Sequence, residues 1–163
     1  MAIHAVSGKL GVNLQNTYAD SDSDATTKLV TLGTIVEASD GATYQFVHAA
    51  GAISQYAWVK VDNDFEAAQL TTAISGDEPT AVGCAQVAIA DDAYGWVVRR
   101  GPFTGLHGAS IAADVKVLTT TSAGKVDDSG GDTIQGVKAS AAGTGDSSTT
   151  FYATSFMQTN AQD

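Results

Sequence analysis

The chain has 163 residues, of which 44% are hydrophobic, so it is long enough for one domain with a substantial core. Its 18 acidic and 8 basic residues give a formal net charge of −10, which excludes nonspecific electrostatic binding to nucleic acid and disfavours an anionic membrane surface as a partner. A single cysteine excludes a disulfide framework and a cysteine-rich metal site. No apolar run approaches the roughly 20 residues of a membrane-spanning helix, and we expect no signal peptide, since no basic stretch precedes an apolar one near the start.

Charged residues are scarce, at 16% of the chain, and alanine, threonine, glycine and serine together make up nearly half of it. A surface poor in long charged side chains is typical of proteins that contact other protein, and also of all-β proteins. Apolar residues recur along the whole chain, which favours an ordered fold over disorder. The composition therefore predicts an all-β protein in which much of the surface is suited to contact with other protein molecules.

Apolar, β-branched and alternating segments predict strands at residues 29–36, 43–48, 57–61, 81–90, 94–100, 115–119, 133–139 and 149–156. The small apolar run 81–90 suits a strand buried on both faces. Asp91 and Asp92 interrupt this run, so we expect a hairpin with a loop at 91–93. Residues 65–74 and 110–114 are expected to hold short helical turns, and the other polar, glycine-rich segments are expected to be turns.

Residues 1–28 are polar and interrupted, and they predict an N-terminal arm, which is either a mobile tail or a segment that orders on a partner. Residues 29–163 are expected to form one β-rich domain. A weak internal similarity relates residues of about 49–104 to residues 105–158, since VKV recurs at 59–61 and 115–117 at matching places. The predicted fold is a compact small β-barrel or β-sandwich of hairpins, with two pseudo-repeated halves as one alternative and chance similarity of strand and turn patterns as the other.

No catalytic motif is present, and we expect no enzymatic activity, no catalytic residue and no cofactor. His4, His48 and His107 are far apart in the sequence, and His48 alternates with aromatic residues as a half-buried strand residue would. Cys84 lies in an apolar run, which predicts a buried and inert thiol.

Two acidic clusters, Asp20/Asp22/Asp24 and Asp62/Asp64/Glu66, have the alternating carboxylates that converge on Ca²⁺ in some loops. Both lack the glycine and the terminal glutamate of an EF-hand loop, so we expect solvated acidic loops and no metal site.

Trp58 and Trp96 lie beside valines in predicted strands, which indicates a place in the core. Arg99 and Arg100 are the only adjacent basic pair, in the segment RRGPF at 99–103. We expect a solvated turn there, and the alternative is an ion pair with an acidic neighbouring subunit.

From residue 29 onward the chain carries a series of short segments in a fixed order. They are LGTIV (32–36), ASDG (38–41), YQFV (44–47), AAGAI (49–53), QY (55–56), VGCAQVAIADDAYGWV (82–97), AADV (112–115) and LTTTSAGKVDD (118–128). In this order the chain resembles the head decoration, or capsid cement, proteins of tailed bacteriophages over roughly 125 of its 163 residues.

This resemblance implies a virion protein without catalysis, made in the host bacterial cytoplasm and bound to the outside of the phage head. Its partners would be the major capsid protein and neighbouring copies of itself, as a trimer or another homo-oligomer, with no nucleic acid and no membrane. Attachment is expected to depend on residues 1–28 and on strand edges near 29–36, and deletion of residues 1–24 is expected to leave a folded protein that no longer occupies heads. The alternative is a secreted or surface carbohydrate-binding or adhesion module, which exposed tryptophans would favour.

Overall fold

The computed structural model describes residues 12–19, 30–75 and 79–159, and the fold is all-β as predicted. The thirteen strands and one short helix of the described residues are β1 Tyr18–Ala19, β2 Ile35–Glu37, β3 Thr43–Ala49, β4 Trp58–Val61, β5 Glu66–Gln69, α1 Thr72–Ser75, β6 Ala81–Ala85, β7 Ala93–Leu106, β8 Ser110–Ile111, β9 Lys116–Thr119, β10 Val126–Asp127, β11 Thr133–Ala139, β12 Gly143–Thr144 and β13 Ser148–Thr159.

Five of these strands form a closed ring. β3 pairs with β5, β5 with β4, β4 with β6, β6 with β7, and β7 again with β3. All pairs are antiparallel except β3 with β5. One core cluster takes residues from each of the five strands, including Val47, Val59, Ala67, Ala85 and Val97. These small and β-branched side chains fill the ring, which we call the barrel.

The same sheet continues beyond the barrel through β13, which pairs with β6. Its antiparallel strands β10, β9, β11 and β13, in that order, are called the outer sheet. The last part of β7 pairs with β13, where Phe103 lies opposite Phe151, so β7 belongs to both layers. Between the barrel and the outer sheet lies a larger core cluster with both tryptophans, aromatic residues of β7 and β13, and aliphatic residues of β9 and β11. The domain therefore has two packed layers, which are joined by β7 and by the pairing of β13 with β6.

The two proposed halves have the same order of pairings. In the first half, Ile53 bridges Ile89, and then β4 pairs with β6 and β6 with β7. In the second half, β8 pairs with β12, β9 with β11 and β11 with β13. Tyr56 and Asp114, each two residues before β4 and β9, both have a positive φ, near 60°. The boundary between residues 104 and 105 falls inside β7, so the halves share a continuous strand.

Several predicted boundaries are wrong for local reasons. Gly33, at φ 79°, turns the chain within the predicted strand 29–36, so only Ile35–Glu37 is a strand. β6 ends at Ala85 because the Gln86 side chain replaces backbone pairing, with its amide bonding the carbonyl and the N–H of Thr104. The loop of the predicted hairpin therefore spans 86–92, although β6 and β7 are antiparallel neighbours as expected.

Of the two helical turns predicted from the sequence, the one within 65–74 is confirmed at its end. Residues 65–74 contain the strand Glu66–Gln69, and the helical turn Thr72–Ser75 then begins. Residues 110–114 begin with the strand Ser110–Ile111 instead of a helical turn.

Part of the predicted arm packs against the barrel. Leu14 is 1% exposed, Tyr18 meets the Phe46 ring edge-on at 6.2 Å, and β1 pairs with the start of β7. The rest of the arm, residues 1–11 and 20–28, lies outside the described residues.

Candidate interaction surface

Three large apolar side chains are strongly exposed among the described residues: Ile35 at 50%, Tyr152 at 45% and Phe156 at 48%. Ile35 lies on β2, whose one pairing among the described strands is with β3, and the other two lie on β13. Removing an exposed apolar side chain from water is favourable, and at these positions only contact with another molecule can do so. These residues therefore mark the faces of the domain on which contact with a partner would be most favourable.

Phe156 lies beside both arginines of the basic pair. The centre of its ring is 5.8 Å from the Arg99 guanidinium carbon and 6.0 Å from that of Arg100, within the range of a cation–π contact. Arg100 is half exposed and lies 3.7 Å from a Glu37 carboxylate oxygen on β2. Arginine and aromatic side chains are the types enriched in protein interfaces and at their energetic centres.

The prediction that residues 99–103 form a solvated turn is wrong, because they lie inside β7 and Arg99 is only 9% exposed. The pairing passes from Tyr44 opposite Val98 to Thr43 opposite Arg100, so Arg99 is the extra residue of a β-bulge. Bulges redirect a side chain relative to its neighbours in the strand. This bulge, together with the positive φ of Gly101, sends the Arg99 side chain inward while Arg100 stays at the surface.

Arg99 lines a partly open cavity of about 690 Å³ at one end of the barrel, called the Arg99 cavity. The charged groups in its wall are Lys60, Asp62 and Arg99, and the aromatic ones are Phe65 and Phe156. Arg99 donates a hydrogen bond from Nη1 to Oε1 of Gln45, and its Nη2 lies 3.5 Å from the carbonyl oxygen of Met157. Burial lowers the pKa of the Arg99 guanidinium from its ordinary value.

The acidic cluster Asp62/Asp64/Glu66 forms a tight turn between β4 and β5. Oδ1 of Asp62 accepts the backbone N–H groups of Asp64 at 3.0 Å and of Glu66 at 2.9 Å. No group of three potential metal ligands occurs in the part of the chain that the structure describes. The other cluster, Asp20/Asp22/Asp24, lies outside that part.

His48 is a partly buried residue of β3, as predicted, and it lies between two carboxylates. Its Nε2 is 3.0 Å from Oδ1 of Asp92, its Nδ1 is 3.7 Å from Oε1 of Glu66, and its ring packs on Tyr94 at 4.7 Å. The arrangement joins the end of β3 to the start of β5 and to the loop before β7. His4 lies outside the described residues.

His107 is fully buried next to a serine. Its Nε2 is 3.2 Å from Oγ of Ser147, but its Nδ1 lies against the carbonyl oxygen of Gly108 at 3.0 Å and not against a carboxylate. The Ser147 hydroxyl also bonds the Thr144 carbonyl within its own turn. Neither His48 nor His107 lines the Arg99 cavity. His48 and His107 therefore form no common site with the Arg99 cavity.

Both tryptophans are fully buried, which confirms their predicted place in the core. Trp58 donates from Nε1 to the Leu106 carbonyl at 3.0 Å, whereas Nε1 of Trp96 is buried and has no hydrogen-bond partner among the described residues. The burial of Cys84 is also confirmed, and its Sγ lies 3.4 Å from the Tyr56 carbonyl oxygen. Burial raises the pKa of the Cys84 thiol well above its ordinary value.

We expect Cys84 to react with an aromatic disulfide reagent at pH 8 only when the protein unfolds. Burial keeps the thiol protonated and blocks access, and only the thiolate attacks disulfides. Stopped-flow labelling with and without urea measures the two rates. The native rate is expected to be at least about 1,000-fold below the rate in urea, since opening of a core strand requires close to the global free energy of unfolding. Comparable rates would contradict the buried position.

The sequence did not predict the Arg99 cavity, which arises where strands distant in the chain meet. The one sequence signal near this cavity was the pair of adjacent arginines before Gly101.

None of the helices among the described residues is long and apolar enough to cross a membrane. No family model matches the chain, and no curated protein matches it.

Proposed function

We propose that this protein is a head decoration protein of a tailed bacteriophage, which binds the outer surface of the capsid and cements the major-capsid lattice without catalysis. The observation that carries the proposal is the ordered series of segments from residue 32 to residue 128 described above. The segment at 82–97 includes β6 and the start of β7, which are strands of the barrel. The partners are the major capsid protein and neighbouring copies of this chain, on the exterior of the virion.

The surface supports this function by its chemistry. Few long charged side chains oppose burial against another protein, and the exposed apolar groups lie on β2 and β13. A cement protein acts through many copies, so each contact can be weak while the assembled shell gains stability from their sum. The net charge of −10 favours solubility of the free protein before it reaches the shell.

The carbohydrate-binding alternative is not favoured by the described residues. Sugar-binding modules stack exposed aromatic rings on their ligands, and exposure of Trp58 or Trp96 would have supported that function. Both are 0% exposed, and the aromatic pair Trp58 and Phe151 packs edge-on inside the core instead.

The proposal is tested by adding the purified chain to heads of the encoding phage that lack it. We expect the chain to sediment with the heads, to appear as density on their outer surface in a reconstruction, and to raise the temperature at which heads lose DNA. The control is the same protein with heads that already carry it, which offer no free sites. Failure to sediment with any form of the head, expanded or unexpanded, would contradict the proposal.

Residues 1–11 are expected to contribute to attachment. Deletion of 1–24 is a poor test of this, because it also removes Leu14 and Tyr18, which pack on the core. Deletion of 1–11 alone is expected to leave the urea unfolding midpoint unchanged and to lower head occupancy by about tenfold or more at subsaturating protein, if the segment pairs with a neighbour. Equal occupancy by the full chain and the shortened chain would show that residues 1–11 are not needed.

A further inference from the structure

Arg99 is a buried cation for which no anion is present among the described residues. Arg99 is 9% exposed, and no carboxylate oxygen of the described residues lies within 4 Å of its guanidinium. Charges removed from water are costly unless they are paired, which is why buried arginines normally meet a carboxylate or phosphate. The missing partner points to a molecule that the chain binds.

The hydrogen bonds of Arg99 leave most of its donors free. A guanidinium has five N–H donors. One is used by the Gln45 side chain, and the contact to the Met157 carbonyl is long, at 3.5 Å. Nε is buried and has no hydrogen-bond partner among the described residues. A carboxylate in the cavity would accept hydrogen bonds from the remaining N–H groups of the two terminal nitrogens, Nη1 and Nη2.

The Arg99 side chain passes beside Gly83 of β6. A Cβ atom on Gly83 would lie 3.3 Å from Cδ of Arg99 and 2.8 Å from a methyl group of Val97, so the absence of a side chain at 83 lets the arginine stem pass. The bulge at Arg99 then directs the stem toward the cavity. An apolar residue at this position would stabilise the fold as well as a buried arginine with only neutral partners.

The walls of the Arg99 cavity suit a singly charged carboxylate on an apolar stem. Lys60 supplies a second positive charge, and Phe65, Phe156 and Met157 supply apolar contact. Asp62 is the acidic wall residue, and its Oδ1 already holds the turn through two backbone N–H groups. A doubly charged phosphate would lie near this carboxylate, and repulsion between the two would oppose its binding.

We propose that the Arg99 cavity receives the acidic side chain of a partner protein, with Arg99 as the anchoring donor. The inference rests on the proposed function, in that the partner is a subunit of the phage shell. Phe156 at the cavity wall, half exposed and stacked near both arginines, provides the surrounding contact that would exclude water from the pair.

The first experiment tests the chemistry without the shell. We would follow the Nε–H resonance of Arg99 by NMR while adding N-acetylglutamate N-methylamide to the full chain. A saturable shift with a midpoint in about the millimolar range is expected for one carboxylate, and the corresponding glutamine compound should give none. No saturable shift, or an equal shift with the glutamine compound, would overturn the proposal. So would tighter binding of inorganic phosphate than of the glutamate compound.

A variant of the chain's own acids tests whether they fill the cavity instead. Asp77 and Glu78 precede Pro79, a wall residue. The double substitution Asp77→Asn, Glu78→Gln is expected to leave the midpoint of the glutamate titration unchanged. Binding of the probe only after this substitution would show that the chain occupies its own cavity, and the proposal would fail.

The second experiment uses the heads that lack this chain. Arg99→Met removes the charge and keeps the stem, and Lys116→Met is the control at an exposed basic residue of β9 that does not line the cavity. We expect Arg99→Met to need on the order of tenfold more protein for half occupancy, as loss of a charged hydrogen bond implies, while Lys116→Met changes this concentration by about twofold or less. Equal loss in both variants would overturn the cavity proposal.

The two proposals fail in different ways. If the unaltered chain binds no heads, the proposed function fails whatever the NMR titration shows. If the unaltered chain binds heads and folded Arg99→Met binds them equally well, only the cavity proposal fails. Where Arg99→Met does not fold, the titration of the unaltered chain decides the question by itself.

Discussion

Trp58→Ala is expected to lower the free energy of unfolding by about 3 to 5 kcal/mol, a large part of the stability of a domain of this size. Trp58 is fully buried between the barrel and the outer sheet, and its ring meets the rings of Phe103 and Phe151 edge-on at 5.2 and 5.0 Å. Its removal leaves a cavity that the paired strands around it cannot close. Urea unfolding followed by circular dichroism measures the change.

A matched pair of conservative variants separates the hydrogen bond of Trp58 from its packing. Trp58→Phe removes the donor to the Leu106 carbonyl, whereas Trp96→Phe removes an N–H that has no partner in the structure. Both changes delete similar volume, so we expect Trp58→Phe to be the more destabilising by about 1 kcal/mol. Equal losses for the two variants would contradict the role assigned to that hydrogen bond.

Gly101→Ala is expected to cost about 2 to 4 kcal/mol, the second-largest effect that we predict for a single substitution. Gly101 has φ of 95°, a conformation that disfavours any residue with a side chain. A Cβ atom there would also lie 2.6 Å from the Cα of Ala42 and 2.7 Å from the carbonyl oxygen of Gly41. Since these are backbone atoms of the turn immediately before β3, that turn would have to move.

Gly41→Ala is the control for the conformational part of this cost. Gly41 has φ of 84°, and a Cβ atom on it would meet nothing within 4 Å. We expect it to cost about 1 kcal/mol from backbone strain alone. Thermal and urea unfolding of both variants measure the difference. If Gly101→Ala were no more destabilising than Gly41→Ala, the close approach of β7 to the turn before β3 would not constrain the fold.

The strands and the buried tryptophans could be predicted from the sequence because their signal is local. Alternation of Tyr44, Phe46 and His48 indicated a strand, and valines around Trp58 and Trp96 indicated the core. A helical turn was expected within residues 65–74, but the segment EAAQ at 66–69 is a strand. It became β5 because it completes the barrel between β3 and β4, a requirement that no local window contains.

The Arg99 cavity could not be predicted for the same physical reason. Adjacent arginines in a weakly charged chain are solvated in most local contexts, and the sequence alone favoured a turn. Their true position follows from the bulge against β3, the absent side chain at Gly83 on β6, and the end of β13. Each of these contacts joins residues that are far apart in the chain.

β7 gives the domain a mechanical property that follows from its length. Its fourteen residues run from the barrel into the outer sheet, and they pair first with β3 and β6 and then with β13. A force that pulls the two layers apart is therefore carried in part along the covalent backbone of this strand. The layers can separate at β7 only when its hydrogen bonds to β3 and β6, or those to β13, are broken, and the pairing of β13 with β6 must break as well.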